Sequence, residues 1–136
     1  MRLTSLADYA VVVMSAAARR EGGRRLSAAE LAEETGVPLP TAQKLLGRLA
    51  QAGLLKAVRG AGGGFVLARP ADGITLADIV EAVEGPIAMT SCSDHERHDC
   101  ALETACQVRP HWPAVNIAIR GALAEVSLAS LAGGIR

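Results

Sequence analysis

The sequence predicts a mainly α-helical protein carrying one small β-hairpin, a winged helix-turn-helix with a long C-terminal dimerisation helix. Three observations carry this expectation. Capping residues repeatedly precede apolar residues spaced three and four apart. Two short apolar runs flank a glycine-rich turn directly after the third such segment. Half of the 136 residues are hydrophobic, yet only Tyr9, Phe65 and Trp112 are aromatic, so the core must be built from Ala, Leu and Val. Small aliphatic side chains of that kind suit closely packed helices.

The first helix is predicted over residues 5–19, where Leu6, Tyr9, Ala10, Val13, Met14 and Ala17 form an inward stripe. Ser5 with Asp8 three residues later has the spacing of a capping box. Gly22 and Gly23 end the element. Ser27 and Glu30 form a second box ahead of a short helix that Gly36 closes, where a helix-turn-helix needs its tight bend. A third helix over residues 40–52 turns Ala42, Leu45, Leu46 and Leu49 inward and Thr41, Lys44, Arg48 and Gln51 outward. Residues 54–58 and 65–68 then read as a hairpin around the glycines at 60 and 62–64, the wing. Thr75 caps a fourth helix over residues 76–84, ended by Gly85-Pro86. After a polar segment, Pro113 opens one long last helix. Val115, Ile117, Ile119, Ala122, Leu123 and Val126 leave it apolar on most faces, as expected of a helix that packs against a second subunit. The expected organisation is residues 1–85 as a DNA-binding domain, 86–110 as a cysteine loop, and 111–136 as a dimerisation helix and tail.

Net charge is zero, but its distribution is uneven. Between Gly36 and Arg69 the cations Lys44, Arg48, Lys56, Arg59 and Arg69 meet no acid at all. A basic patch confined to one segment is the footprint of a phosphate-binding surface. The third helix offers Thr41, Gln43, Lys44 and Arg48 to a major groove, with Gln43 suited to an adenine edge. At the wing, Arg59 suits a minor groove, and Gly60 lets backbone approach phosphate. The plain alternative is that these cations solvate a surface.

All three cysteines, Cys92, Cys100 and Cys106, fall in one fifteen-residue window among Asp94, Glu96, Asp99 and Glu103. The start of the chain reads as no secretory signal, so a cytoplasmic protein with reduced thiols is expected. Reduced, clustered thiols suit a soft metal or an iron–sulfur cluster. Their spacing matches neither a zinc finger nor a ferredoxin run, and burial as core fillers is the competing reading. Three thiolates leave one position to fill, for which Asp8, His95, His98, Glu103 and His111 are candidates. Asp8 also has a purely structural explanation, an acid in the first turn of a helix. No run of residues is apolar enough to span a membrane, and no cysteine has a recognisable partner base or phosphate-binding loop beside it. Neither an enzyme nor a small-molecule substrate is expected.

Residues 1–5 (Met-Arg-Leu-Thr-Ser), Asp8-Tyr9-Ala10, residues 45–49, the run Val-Arg-Gly-Ala-Gly-Gly-Gly-Phe at 58–65 and the cysteines before Trp112 together resemble the bacterial winged-helix regulators that include IscR, NsrR and RirA. Within that group the chain looks most like regulators of the Suf iron–sulfur assembly system. The resemblance implies a homodimer on a double-stranded operator, Arg59 as a wing contact, and Cys92, Cys100 and Cys106 as cluster ligands. It departs from the IscR pattern in three places: seven residues rather than five separate the first two cysteines, Arg109 replaces a histidine, and Gln43 replaces a glutamate. The first-helix aspartate that serves NsrR as a ligand matches Asp8. The implied set is therefore three cysteines plus Asp8 on a 4Fe–4S cluster, with 2Fe–2S as the alternative. The implied function is a cluster-sensing repressor of suf genes. A zinc-bound or metal-free thiol redox regulator of the same fold is the rival.

Overall fold

A computed structural model describes residues 2–20, 24–60, 63–88 and 107–133. It contains six α-helices and a hairpin among those residues: α1 (Ser5–Ala18), α2 (Ala28–Thr35), α3 (Leu39–Gln51), β1 (Leu55–Val58), β2 (Gly64–Leu67), α4 (Leu76–Glu84), α5 (Trp112–Ala124) and α6 (Leu128–Gly133). Helix α1 is the centre of the packing. Its Ala10, Val13, Met14 and Ala17 are buried as the apolar stripe requires, with Leu6 and Tyr9 half-buried against the same core. Ala7, Ser15 and Ala16 are buried as well, because α2, α3, α4, α6 and β2 all pack on this one helix. Leu31, Leu45, Leu46, Leu49, Ile74 and Ile79 complete the core.

The helix ends differ instructively from expectation. Thr4, not Ser5, caps α1: its extended backbone lets the hydroxyl accept the Ala7 N–H at 3.1 Å. Asp8 falls one residue beyond the reach of such a box, so it makes no cap. At α2, Ser27 accepts the Glu30 N–H at 3.1 Å, but the Glu30 carboxylate engages Arg20 at 3.1 Å. A charged partner outcompetes a backbone N–H for that side chain. The complete box is at α4, where Thr75 and Asp78 exchange bonds of 3.0 and 3.1 Å. Gly36, at φ 81°, supplies the left-handed bend between α2 and α3.

The hairpin pairs antiparallel with Leu55 opposite Leu67 and Val58 opposite Gly64. A third chain segment joins it. Leu26 exchanges backbone bonds with Phe65 at 2.9 and 2.8 Å, an isolated bridge that ties the wing to the start of α2. A single bridge residue has no periodicity to read, so nothing local announces it.

The single long C-terminal helix is instead two. Leu76 N–H bonds to Val126 O and Leu128 N–H to Ile74 O, both at 2.8 Å. This pairing with the strand-like approach to α4 holds residues 125–127 out of helix, and Ser127 Oγ then accepts the Ser130 N–H. Helix α6 folds back on α1 with Leu128 fully buried. Helix α6 thus packs with the N-terminal elements rather than extending the last helix. Helix α5 packs on α4 along one side, fixed by Arg120 to Glu81 at 2.8 Å, and contributes no fully buried residue.

Candidate nucleic-acid interface and cysteine segment

Helix α3 begins with Pro40 in its first turn, where a missing N–H costs nothing, and has no side-chain cap. Its first turns therefore leave backbone N–H groups unpaired at the end that would meet DNA. Gln43 and Lys44 are exposed there and Thr41 is half-buried beside them. Ala42, Leu45, Leu46 and Leu49 are buried on the opposite side, which fixes the rotation of the helix.

The five cations of the acid-free segment divide into two kinds. Lys44, Lys56 and Arg59 are exposed and make no ion pair among the described residues. Arg69 lies 3.5 Å from Asp78. Arg48 is half-buried, with Nη1 donating to the Val83 carbonyl at 3.1 Å. Arg24 and Arg25 are exposed just before Leu26, which sets them beside β2. They lie outside the acid-free segment, and only the long-range bridge brings them to the wing.

The wing glycines have structural reasons that precede any contact with phosphate. Gly60 is at φ 112°, and its carbonyl accepts the Gly63 N–H at 2.9 Å. A Cβ on Gly63 would sit 2.7 Å from Val58 O, and one on Gly64 only 2.5 Å from Leu26 O. Arg59 and Gly60 are exposed at this turn.

Cys92, Cys100 and Cys106, with His95, His98 and Glu103, lie outside the described residues. Of the fourth-ligand candidates, Asp8 and His111 are described, and both are exposed. Asp8 stands one turn after Thr4, whose hydroxyl also donates to Glu84 at the end of α4. Glu81 Oε2 accepts the Ile87 N–H at 3.3 Å, so the last turn of α4 also holds the point from which the chain leaves for the cysteine segment.

The family model described as an iron-dependent transcriptional regulator, Rrf2, matches residues 3–134. The chain belongs to the Rrf2 family. It is 33% identical over 131 residues to the helix-turn-helix regulator IscR of Photobacterium profundum, covering 96% of this chain and 75% of that one. Among solved structures, CymR, the global cysteine regulator of Bacillus subtilis, superposes with a TM-score of 0.75 at 26% identity, covering 100% and 99% of the two chains. The IscR structure from T. potens gives a TM-score of 0.69 at 29% identity, covering 95% and 84%. The protein is therefore a DNA-binding winged-helix transcription regulator and not an enzyme. No helix among the described residues is long and apolar enough to cross a membrane.

Proposed function

We propose that this Rrf2 protein is a homodimeric repressor that senses an iron–sulfur cluster and controls cluster-assembly genes of the suf type. The observation that carries the reading is the gathering of three cysteines in a fifteen-residue window of a chain from this family. Three soft thiolates with a carboxylate form a donor set that suits iron in a cluster, and the weaker carboxylate bond makes such a cluster easier to lose. Cys92, Cys100, Cys106 and Asp8 are the proposed ligands, and 4Fe–4S is the proposed cluster. When bound, the cluster would supply sensitivity to iron supply and oxidants; the protein's own part is to hold it beside the DNA-reading elements. Similarity to Staphylococcus aureus CymR, solved in an oxidised form, supports a second reading, in which zinc-bound or metal-free thiols respond directly to oxidation. Anaerobic purification separates the two. The first reading expects a brown protein with iron and acid-labile sulfide, and a colourless protein free of both would overturn it.

Asp8 is the ligand most open to test. It is exposed and takes no part in the cap of α1, so Asp8→Asn should leave folding intact. If Asp8 is a ligand, the variant's cluster should bleach faster in air or change its absorption spectrum. Wild-type spectrum, iron content and air stability in Asp8→Asn would return the fourth position to His111 or Glu103.

For DNA, Thr41, Gln43, Lys44, Arg59 and Gly60 are the proposed contacts, with Arg24 and Arg25 adding charge on the wing side. Arg59→Ala should weaken operator binding by roughly 1–3 kcal/mol if the side chain reaches a base edge, or lower the salt slope by about one if it meets phosphate. Binding titrations at several salt concentrations distinguish these, and no change in either quantity would remove the wing from the interface.

A further inference from the structure

The last turn of α4 carries no Lys or Arg. A helix C-terminus presents unpaired carbonyls and partial negative charge, which a nearby cation stabilises. Here the cation comes from another helix: Arg48 of α3 donates Nη1 to the Val83 carbonyl at 3.1 Å from a half-buried position. A guanidinium that left this site for a DNA phosphate would strand the Val83 carbonyl and expose the end of α4. Four residues before Arg48, on the same face of α3, is the exposed Lys44. On the α4 side of the bond, Glu81 holds the Ile87 N–H at 3.3 Å, and Gly85 at φ 82° turns the chain towards residues 89–106, which hold the cysteines.

We infer that Arg48 is a positioning residue for DNA recognition and not a DNA contact. It holds the reading helix to the last turn of α4. Through that turn it links the presentation of Gln43 and Lys44 to the place where the cysteine segment begins. The inference rests on α3 being the reading helix, and its second half rests on the proposed sensing role.

Arg48→Met keeps the apolar stem and removes the donor; Arg48→Ala removes both. Operator affinity of each full-length variant is measured across a salt series, in anaerobically purified protein and after treatment with an iron chelator. Circular dichroism establishes that the variants fold. A strut predicts affinity lowered by roughly two- to thirtyfold with the wild-type salt slope, the range for a side chain that acts without touching the ligand. It also predicts that the ratio of affinities before and after chelation shrinks towards one, which simple loss of stability would not produce. A slope reduced by about one would make Arg48 a phosphate contact and overturn the inference. So would wild-type affinity, or a chelation ratio equal to the wild type's. If the wild type itself ignores chelation, the sensing role fails, while the salt slope still decides where Arg48 acts.

Discussion

Ile117→Glu is expected to give folded monomers whose operator affinity falls by about a hundredfold or more, because two linked half-site contacts become one. Ile117 is 72% exposed, and Val115 on the same helix is 38% exposed, an unusual setting for β-branched side chains. Ile117 is not part of the hydrophobic core among the described residues, so the fold should survive a glutamate there. Against a second copy, an unpaired carboxylate would be buried at a cost of several kcal/mol. Ile119 is half-buried in the chain's own packing, so Ile119→Glu should lower both stability and assembly. Light scattering at micromolar concentration reads the assembly, and binding to one- and two-half-site duplexes reads the affinity. A dimeric Ile117→Glu protein would move the subunit seam away from α5.

Gly64→Ala should be among the most damaging single substitutions in the head, with a loss of about 2–4 kcal/mol. The added Cβ would lie 2.5 Å from Leu26 O and 2.9 Å from its carbonyl carbon. Both are backbone atoms, so no side chain can swing aside. Either the Leu26–Phe65 pairing opens, giving up bonds of 2.9 and 2.8 Å, or the wing pivots away from α2. Operator binding should fall with stability, because Arg59 rides on the same hairpin. Gly47 is the control: it sits inside α3 with nothing within 4 Å of its would-be Cβ. Gly47→Ala should raise stability by about 0.5–1 kcal/mol through helix propensity alone. Denaturant melts of the two variants measure both effects. A Gly64→Ala protein as stable as the wild type would mean that the bridge to Leu26 does not secure the wing.

Alternation, capping residues and glycine punctuation are local signals, and they made most elements readable. The stripes of α1 and α3, the Gly36 bend, the hairpin and the span of α4 from Thr75 to Gly85 follow from residues a few positions apart. Where a local signal met a distant competitor, the competitor prevailed. Glu30 had the spacing for a capping box, but Arg20 took its carboxylate. Val126 continued an apolar helical stripe, yet its carbonyl pairs with Leu76, fifty residues earlier. At α1 the competitor was itself local: Ser5 and Asp8 had acceptable spacing, but the neighbouring Thr4 already had the backbone geometry of the cap.

By itself the sequence determined the order of the elements, the core-facing stripes, the acid-free basic segment and the crowding of three thiols into one window. These depend on residue type and short spacing, which chain order preserves. Only the tertiary structure decided which cations of that segment are engaged, because their partners lie outside it. Arg48 is engaged by Val83 and Arg69 lies near Asp78, while Lys44, Lys56 and Arg59 stay exposed without such a partner among the described residues. The same holds for Arg24 and Arg25, which join the wing because Leu26 pairs with Phe65 across 39 positions of sequence. A charge pattern records how many cations a segment carries; packing against residues outside the segment sets which of them are engaged.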